Sequence, residues 1–143
     1  MCLNLIVELG PKDRTRISEI VEFRQLDGVF VESFAPRKYW FRRGADPAVI
    51  FLTDHEAGSS CACNFLAETA DWNSETWDMN PELLHGLARC LTKISANCLE
   101  PITFEAVWAG DQLTDVAVSI TDLVEVINQG RLGVKTRYIV AAE

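Results

Sequence analysis

Side chains capable of chemistry concentrate between Asp54 and Met79, which holds one of the two histidines, two of the five cysteines and two of the four tryptophans. His55 precedes Cys61 and Cys63, and imidazole and thiolate are ligands that zinc favours. Asp54, Glu56 or Cys90 could supply a fourth ligand. The spacing argues against a metal centre. Zinc sites commonly separate paired cysteines by two residues, whereas a single residue lies between Cys61 and Cys63, and no Cys-x-x-Cys pair occurs elsewhere. The expectation is therefore no cofactor, with zinc at His55, Cys61 and Cys63 as the alternative. His55 could also activate either thiol as a nucleophile, but no residue that would orient the imidazole is evident from the sequence.

A second constellation comprises Asp71, Trp72, Trp77 and Asp78. Two indoles bracketed by acids suit the wall of a site for an amphipathic or cationic ligand; the competing role is to plug one end of the core. A third segment, Arg37 to Arg43, interleaves four bases with three aromatic rings. Rings packing inward while the cations reach solvent account for it more simply than stacking on nucleobases. The glycine-rich signatures of phosphate and dinucleotide sites are absent, as are Gly-x-Ser-x-Gly and His-Glu-x-x-His.

Charge bears on the partner. The 143 residues carry a net charge of −8, unevenly spread: positions 46–125 hold 14 of the 21 acids but, among bases, only Arg89 and Lys93. Phosphate contacts need clustered cations, so nucleic acid is disfavoured. A small molecule, a cationic one above all, or a protein partner is easier to accommodate, and the acidity itself favours solubility. No apolar run reaches the about 20 residues that a membrane span requires. Met1 to Gly10 reads as a strand rather than a signal peptide, since Glu8 interrupts its apolar run. Five cysteines, an odd number, fit reduced thiols in a cytoplasmic protein, either monomer or homodimer.

The elements that would position these groups follow from periodicity. Leu3, Leu5, Val7 and Leu9 alternate with Asn4 and Glu8, predicting a half-buried strand in which Ile6 is out of place. Residues 14–26 allow a helix, capped by Asp13 or Thr15, or half of a hairpin turning at Asp27-Gly28; the helix is the reading adopted. Strands are predicted at Val29–Phe34 and, buried on both faces, at Ala48–Leu52. Ser60–Leu66 reads as another strand, with Cys61, Cys63 and Phe65 on its inner face.

Asn80-Pro81-Glu82 is the clearest helix start, with Leu83, Leu84, Leu87, Cys90, Leu91 and Ile94 as the buried stripe and His85 on the opposite face. Ile102–Trp108 alternates as a strand, and a short one follows at Val116–Val118. Ser119 and Asp122 cap a helix that buries Leu123, Val124 and Ile127 and ends at Gly130, and a last strand follows from Val134 to Val140.

These patterns predict one α+β domain over residues 1–143. Its mixed or largely antiparallel sheet would have about five to six strands, with two to three helices on one face, and a ferredoxin-like path would suit its first part. The function expected is that of a non-catalytic binding or interaction module. Its surface would lie near residues 54–58 and 71–78, built from Asp54, His55, Glu56, Asp71, Trp72, Trp77 and Asp78. The alternative is a metal- or thiol-dependent enzyme using His55, Cys61 and Cys63.

Overall fold

The computed structural model describes residues 3–34, 48–55, 61–67, 76–108, 112–133 and 135–142. Strands β1 (Leu3–Leu9), β2 (Gln25–Leu26), β3 (Val29–Phe34), β4 (Ala48–Thr53), β6 (Ile102–Trp108), β7 (Thr114–Val118) and β9 (Thr136–Val140) form one mixed sheet in the order β2-β3-β4-β1-β6-β9-β7. Only β7 and β9 run parallel among these pairs. A two-stranded sheet joins β5 (Thr76–Asp78) to β8 (Arg131–Gly133). Three helices complete the α+β domain: α1 (Ile17–Ile20), α2 (Pro81–Ala96) and α3 (Ile120–Asn128). The sheet has more strands than expected. The ferredoxin-like path is matched only roughly: β3-β4-β1-β6 follow its order with every neighbour antiparallel, but α1 is a single turn. Among the described residues no helix is long and apolar enough to cross a membrane.

Strand β1 occupies the centre and is buried on both faces, not one. Leu3, Leu5, Val7 and Leu9 join the main core with Leu87, Leu91 and Ile94 of α2 and Leu123 and Ile127 of α3. Ile6 points the other way and packs with Val49 and Phe51 of β4 in a second apolar cluster, which explains its break in the alternation. Asn4 and Glu8, expected at the surface, are each only 3% exposed on that second face.

Segment 14–26 combines both readings. A 3-10 turn over Arg14–Arg16 leads into α1, which stops at Ile20; Gln25–Leu26 then pairs with β3 across a two-residue turn. Asp27 (φ 49°) and Gly28 (φ 83°) supply the two consecutive left-handed conformations that such a turn needs. Asp13 does not cap a helix through its side chain. Its buried carboxylate instead accepts the main-chain N–H groups of Leu99 (2.9 and 3.1 Å) and Glu100 (3.0 Å) and pairs with Arg16 Nη1 at 2.8 Å. It thus ties the loop before α1 to the exit of α2, a link between positions 86 residues apart that local spacing cannot show.

The Ser60–Leu66 strand is not observed: Cys63–Phe65 is a 3-10 turn. A strand would send Cys61, Cys63 and Phe65 inward together. The turn instead buries Ala62 and Phe65, three residues apart, and leaves Cys61 and Cys63 half-buried. Residues 76–78, within the 71–78 segment expected at the recognition surface, pair with β8 as β5.

Helix α2 starts where its sequence predicts. Asn80 accepts the N–H of Glu82 at 3.1 Å, and Pro81 opens the helix. Leu87, Cys90, Leu91 and Ile94 are buried, whereas Leu83 and Leu84 are half-buried. His85 lies on the exposed side with its Nε2 3.6 Å from Asp27 Oδ2, an oxygen that also accepts from Arg89 Nη1 at 2.6 Å. Gly86 is explained by the hairpin turn, which rests directly on the helix. A methyl group at Gly86 would collide with the carbonyl oxygen of Asp27 and lie 2.9 Å from Val29 Cγ2. Helix propensity favours Gly86→Ala by about 1 kcal/mol, yet overpacking should outweigh it and leave the variant about 1–3 kcal/mol less stable. Urea denaturation checks this, and a variant as stable as the parent would show that the turn does not seat on α2.

Candidate functional site

A partly exposed polar cluster lies where β4 ends and α2 begins. Thr53, fully buried, donates its hydroxyl to the carbonyl of His55 at 2.9 Å, folding the chain tightly after the strand. That turn brings His55 Nδ1 to 3.0 Å from Asp54 Oδ1. The other carboxylate oxygen, Asp54 Oδ2, accepts from Asn64 Nδ2 at 2.8 Å. Asn64 is held in turn: its carbonyl accepts from Asn80 Nδ2 at 3.1 Å, and Asn80 caps α2. A chain of hydrogen bonds therefore runs from the helix N-terminus to the imidazole.

Electrostatics agree with the geometry. Partial burial acts to raise the Asp54 carboxyl, but hydrogen bonds from His55 and Asn64 outweigh it and hold the group below its ordinary range. A carboxylate facing Nδ1 favours the tautomer with its proton there, so Nε2 is presented as an acceptor or base. The His55 side chain is 40% exposed, enough to meet a ligand, while Asp54 at 17% is mostly covered. The arrangement can accept a hydrogen bond or a proton at a fixed place on the surface.

The residues singled out from the sequence meet different outcomes. Asp54 and His55 come together. Glu56, Asp71 and Trp72 lie outside the described residues, as does the segment Arg37 to Arg43. Trp77 sits in β5 opposite Leu132, and Asp78, half-buried, accepts the N–H of Ala67 at its carbonyl at 2.9 Å. Cys61 and Cys63 flank Ala62, whose N–H donates to Leu3 O at 2.8 Å, while Leu3 N–H donates to Cys63 Sγ at 3.3 Å. Among the described residues no three His, Cys, Asp or Glu side chains gather in a geometry able to hold a metal ion, so the zinc reading gains no support. Asn64 was not anticipated. An asparagine in a segment that otherwise reads as a strand, where asparagine is depleted, was its one sequence signal.

A second polar group occupies the sheet face away from α2 and α3. One row in register crosses six strands: Glu32, Phe51, Ile6, Glu105, Arg137 and Asp115. Arg137 Nε donates to Asp115 Oδ1 at 2.7 Å. That bond, opposed by burial and reinforced by the charges of Asp115, Glu105 and Glu8, pushes the guanidinium above its usual range. Glu105 is fully buried and Glu8 nearly so, while the Asp115 side chain is 45% exposed, so the group runs from the interior of the sheet to its β7 edge.

Comparison with protein-family models, with curated proteins and with solved structures finds no match to this chain.

None of Cys61, Cys63, Cys90 and Cys98 is disulfide-bonded. Burial, with a smaller contribution from Asp27, pushes the Cys90 thiol up to about 12, and burial with Asp13 pushes Cys98 up to about 11. Both stay protonated through neutral pH. A folded-state value above the unfolded one stabilises the fold at neutral pH, and this contribution is lost as pH climbs past the unfolded thiol range toward the folded values. In a native thiol titration near pH 8, Cys61 and Cys63 should react well before Cys90 and Cys98, which should react only after unfolding. Mass-mapped labelling decides it, and early modification of Cys90 would contradict the burial described.

Proposed function

We propose that the protein is a small non-catalytic binding module whose recognition centre is the Asp54, His55 and Asn64 cluster at the end of β4. One observation carries this reading: the half-exposed imidazole is oriented by a carboxylate whose two oxygens are each already engaged, by His55 and by Asn64. A side chain locked in this way loses little entropy on meeting a ligand. The acidity of positions 46–125 favours a ligand bearing a cationic or hydrogen-bond-donating group, whether a small molecule or a basic segment of a protein. We assign Glu56, Asp71, Trp72, Trp77 and Asp78 to the same surface from residue type alone. A cytoplasmic setting with reduced thiols fits the cysteines that are not disulfide-bonded.

The alternative, a thiol- or metal-dependent enzyme using His55, Cys61 and Cys63, draws on the main-chain N–H that reaches Cys63 Sγ. Stoichiometric zinc in the purified protein, or unusually fast alkylation of Cys61 or Cys63 at mildly acidic pH, would favour it over the binding module.

An NMR titration with a short arginine- and lysine-containing peptide, set against an acidic peptide of equal length, tests the proposal. The basic probe should perturb residues 53–55, 64 and 78–80. His55→Ala and Asp54→Asn should each weaken binding by about tenfold or more, with thermal unfolding of each variant serving as a control. Perturbations confined to other surfaces, or indifference to both substitutions in folded protein, would refute it.

A further inference from the structure

The sheet ends on β7, and the character of that edge is unusual. From Thr114 to Ala117 every residue is exposed, and Val116, 39% exposed, is with Leu99 one of two exposed large hydrophobic residues among those described. Thr114 N–H donates to Lys135 O, and Ala141 N–H donates to Val118 O, so residues 114, 116 and 118 direct their main-chain groups toward β9. The N–H and C=O of Ala117 consequently point to the open side of the sheet. Edge strands are normally guarded by lysine, proline, a bulge or extreme shortness. In its five residues β7 has neither lysine nor proline. Its one charge, Asp115, is ion-paired to Arg137 at 2.7 Å. Beside it runs a shallow groove of ≈ 360 Å³, whose lining includes Ala117, Val118, Ser119, Asp122 and Ile139.

We infer that β7 pairs antiparallel with β7 of a second copy of this chain about a two-fold axis at Ala117, joining the two sheets into one. The residue order of β7 suits a second copy in this register. That register sets Ala117 opposite itself and Val116 opposite Val118 of the other copy, so the exposed valine gains an apolar partner on each side of the axis. Asp115 falls opposite Ser119, not opposite another Asp115, and Ser119 caps α3, whose N-terminal end is the positive end of its dipole. An isologous contact of this kind closes after two copies and leaves no new edge. A five-residue strand and a shallow groove cover less than the about 800 Å² per partner of a standard stable interface, so the dimer is weak and concentration-dependent. Each copy carries a net charge of −8, hence added salt tightens the dimer by screening repulsion.

Sedimentation velocity on the full chain, from low micromolar to submillimolar concentration and at low and high salt, tests this. A monomer–dimer equilibrium shifting toward dimer with concentration and with salt is expected. Ala117→Pro removes an N–H that faces away from β9, so the fold tolerates it while strand addition is blocked, and the dimer is lost. Val116→Lys, at an exposed position, gives the same loss and keeps the test open if the proline variant fails to fold. A chain monomeric under every condition overturns the inference and leaves the edge to a strand of some other protein. So does a dimer that survives both substitutions in folded protein, or one that loosens with salt.

Discussion

The structure depends on burying one strand from both sides. β1 lies fourth of seven in the sheet, and none of its residues reaches solvent to any extent. On one face four aliphatic side chains receive α2 and α3, which is the ordinary source of stability for an α+β domain. On the other, Ile6 is flanked along the same strand by Asn4 and Glu8, so the second face must satisfy polar and ionic groups as well as exclude water. Burying carboxylates is costly unless opposite charge and hydrogen bonds accompany them. The response is visible in the register: Arg137 lies directly beside Glu105 and Asp115, within the field of Glu8. Removing Arg137 would take away the positive charge that lies beside Glu105 and Asp115, which is more damaging than never having buried the carboxylate.

The same strand positions the site. Leu3 binds the 61–63 segment with both of its main-chain groups, accepting from Ala62 and donating to Cys63 Sγ. Antiparallel pairing sets the start of β1 beside the end of β4, so Asp54 and His55 emerge next to that docked segment. Asn64 then reaches Asp54, and Asn80 reaches Asn64 while it caps α2. A relay of contacts thus links three elements distant in sequence to the carboxylate that meets the imidazole. His55 is held by a neighbour that is itself held, whereas His85, among the described residues, meets Asp27 only at 3.6 Å.

What the sequence made legible was local. The caps at Asn80 and Ser119, the stripe of α2 and the strands β1, β3, β4, β6 and β9 all follow from short-range patterns and stand close to where they were read. What it concealed was tertiary. The 61–66 segment satisfies alternation and turn spacing equally well, and only docking against Leu3 selects the turn. Glu8 and Glu105 look like solvent-facing positions in alternating strands, and nothing within either strand announces Arg137 as a neighbour. Gly86 looks like a defect in a good helix until the hairpin turn is placed against it. Asp54 and His55 were singled out by residue type, but the orienting contact between them required the tight turn made by Thr53.

The Asp54 contact is expected to fix the imidazole of His55 in one orientation and one tautomer. Nitrogen-15 NMR of the histidine side chains in the intact protein, recorded across an alkaline pH series, reports this directly. A neutral imidazole in water favours the proton on Nε2. His55 should instead carry it on Nδ1, Asp54→Asn should abolish this preference, and His85 should show the solution-like tautomer in the same spectrum. A His55 ring protonated mainly on Nε2, or one averaging as freely as His85, would contradict it.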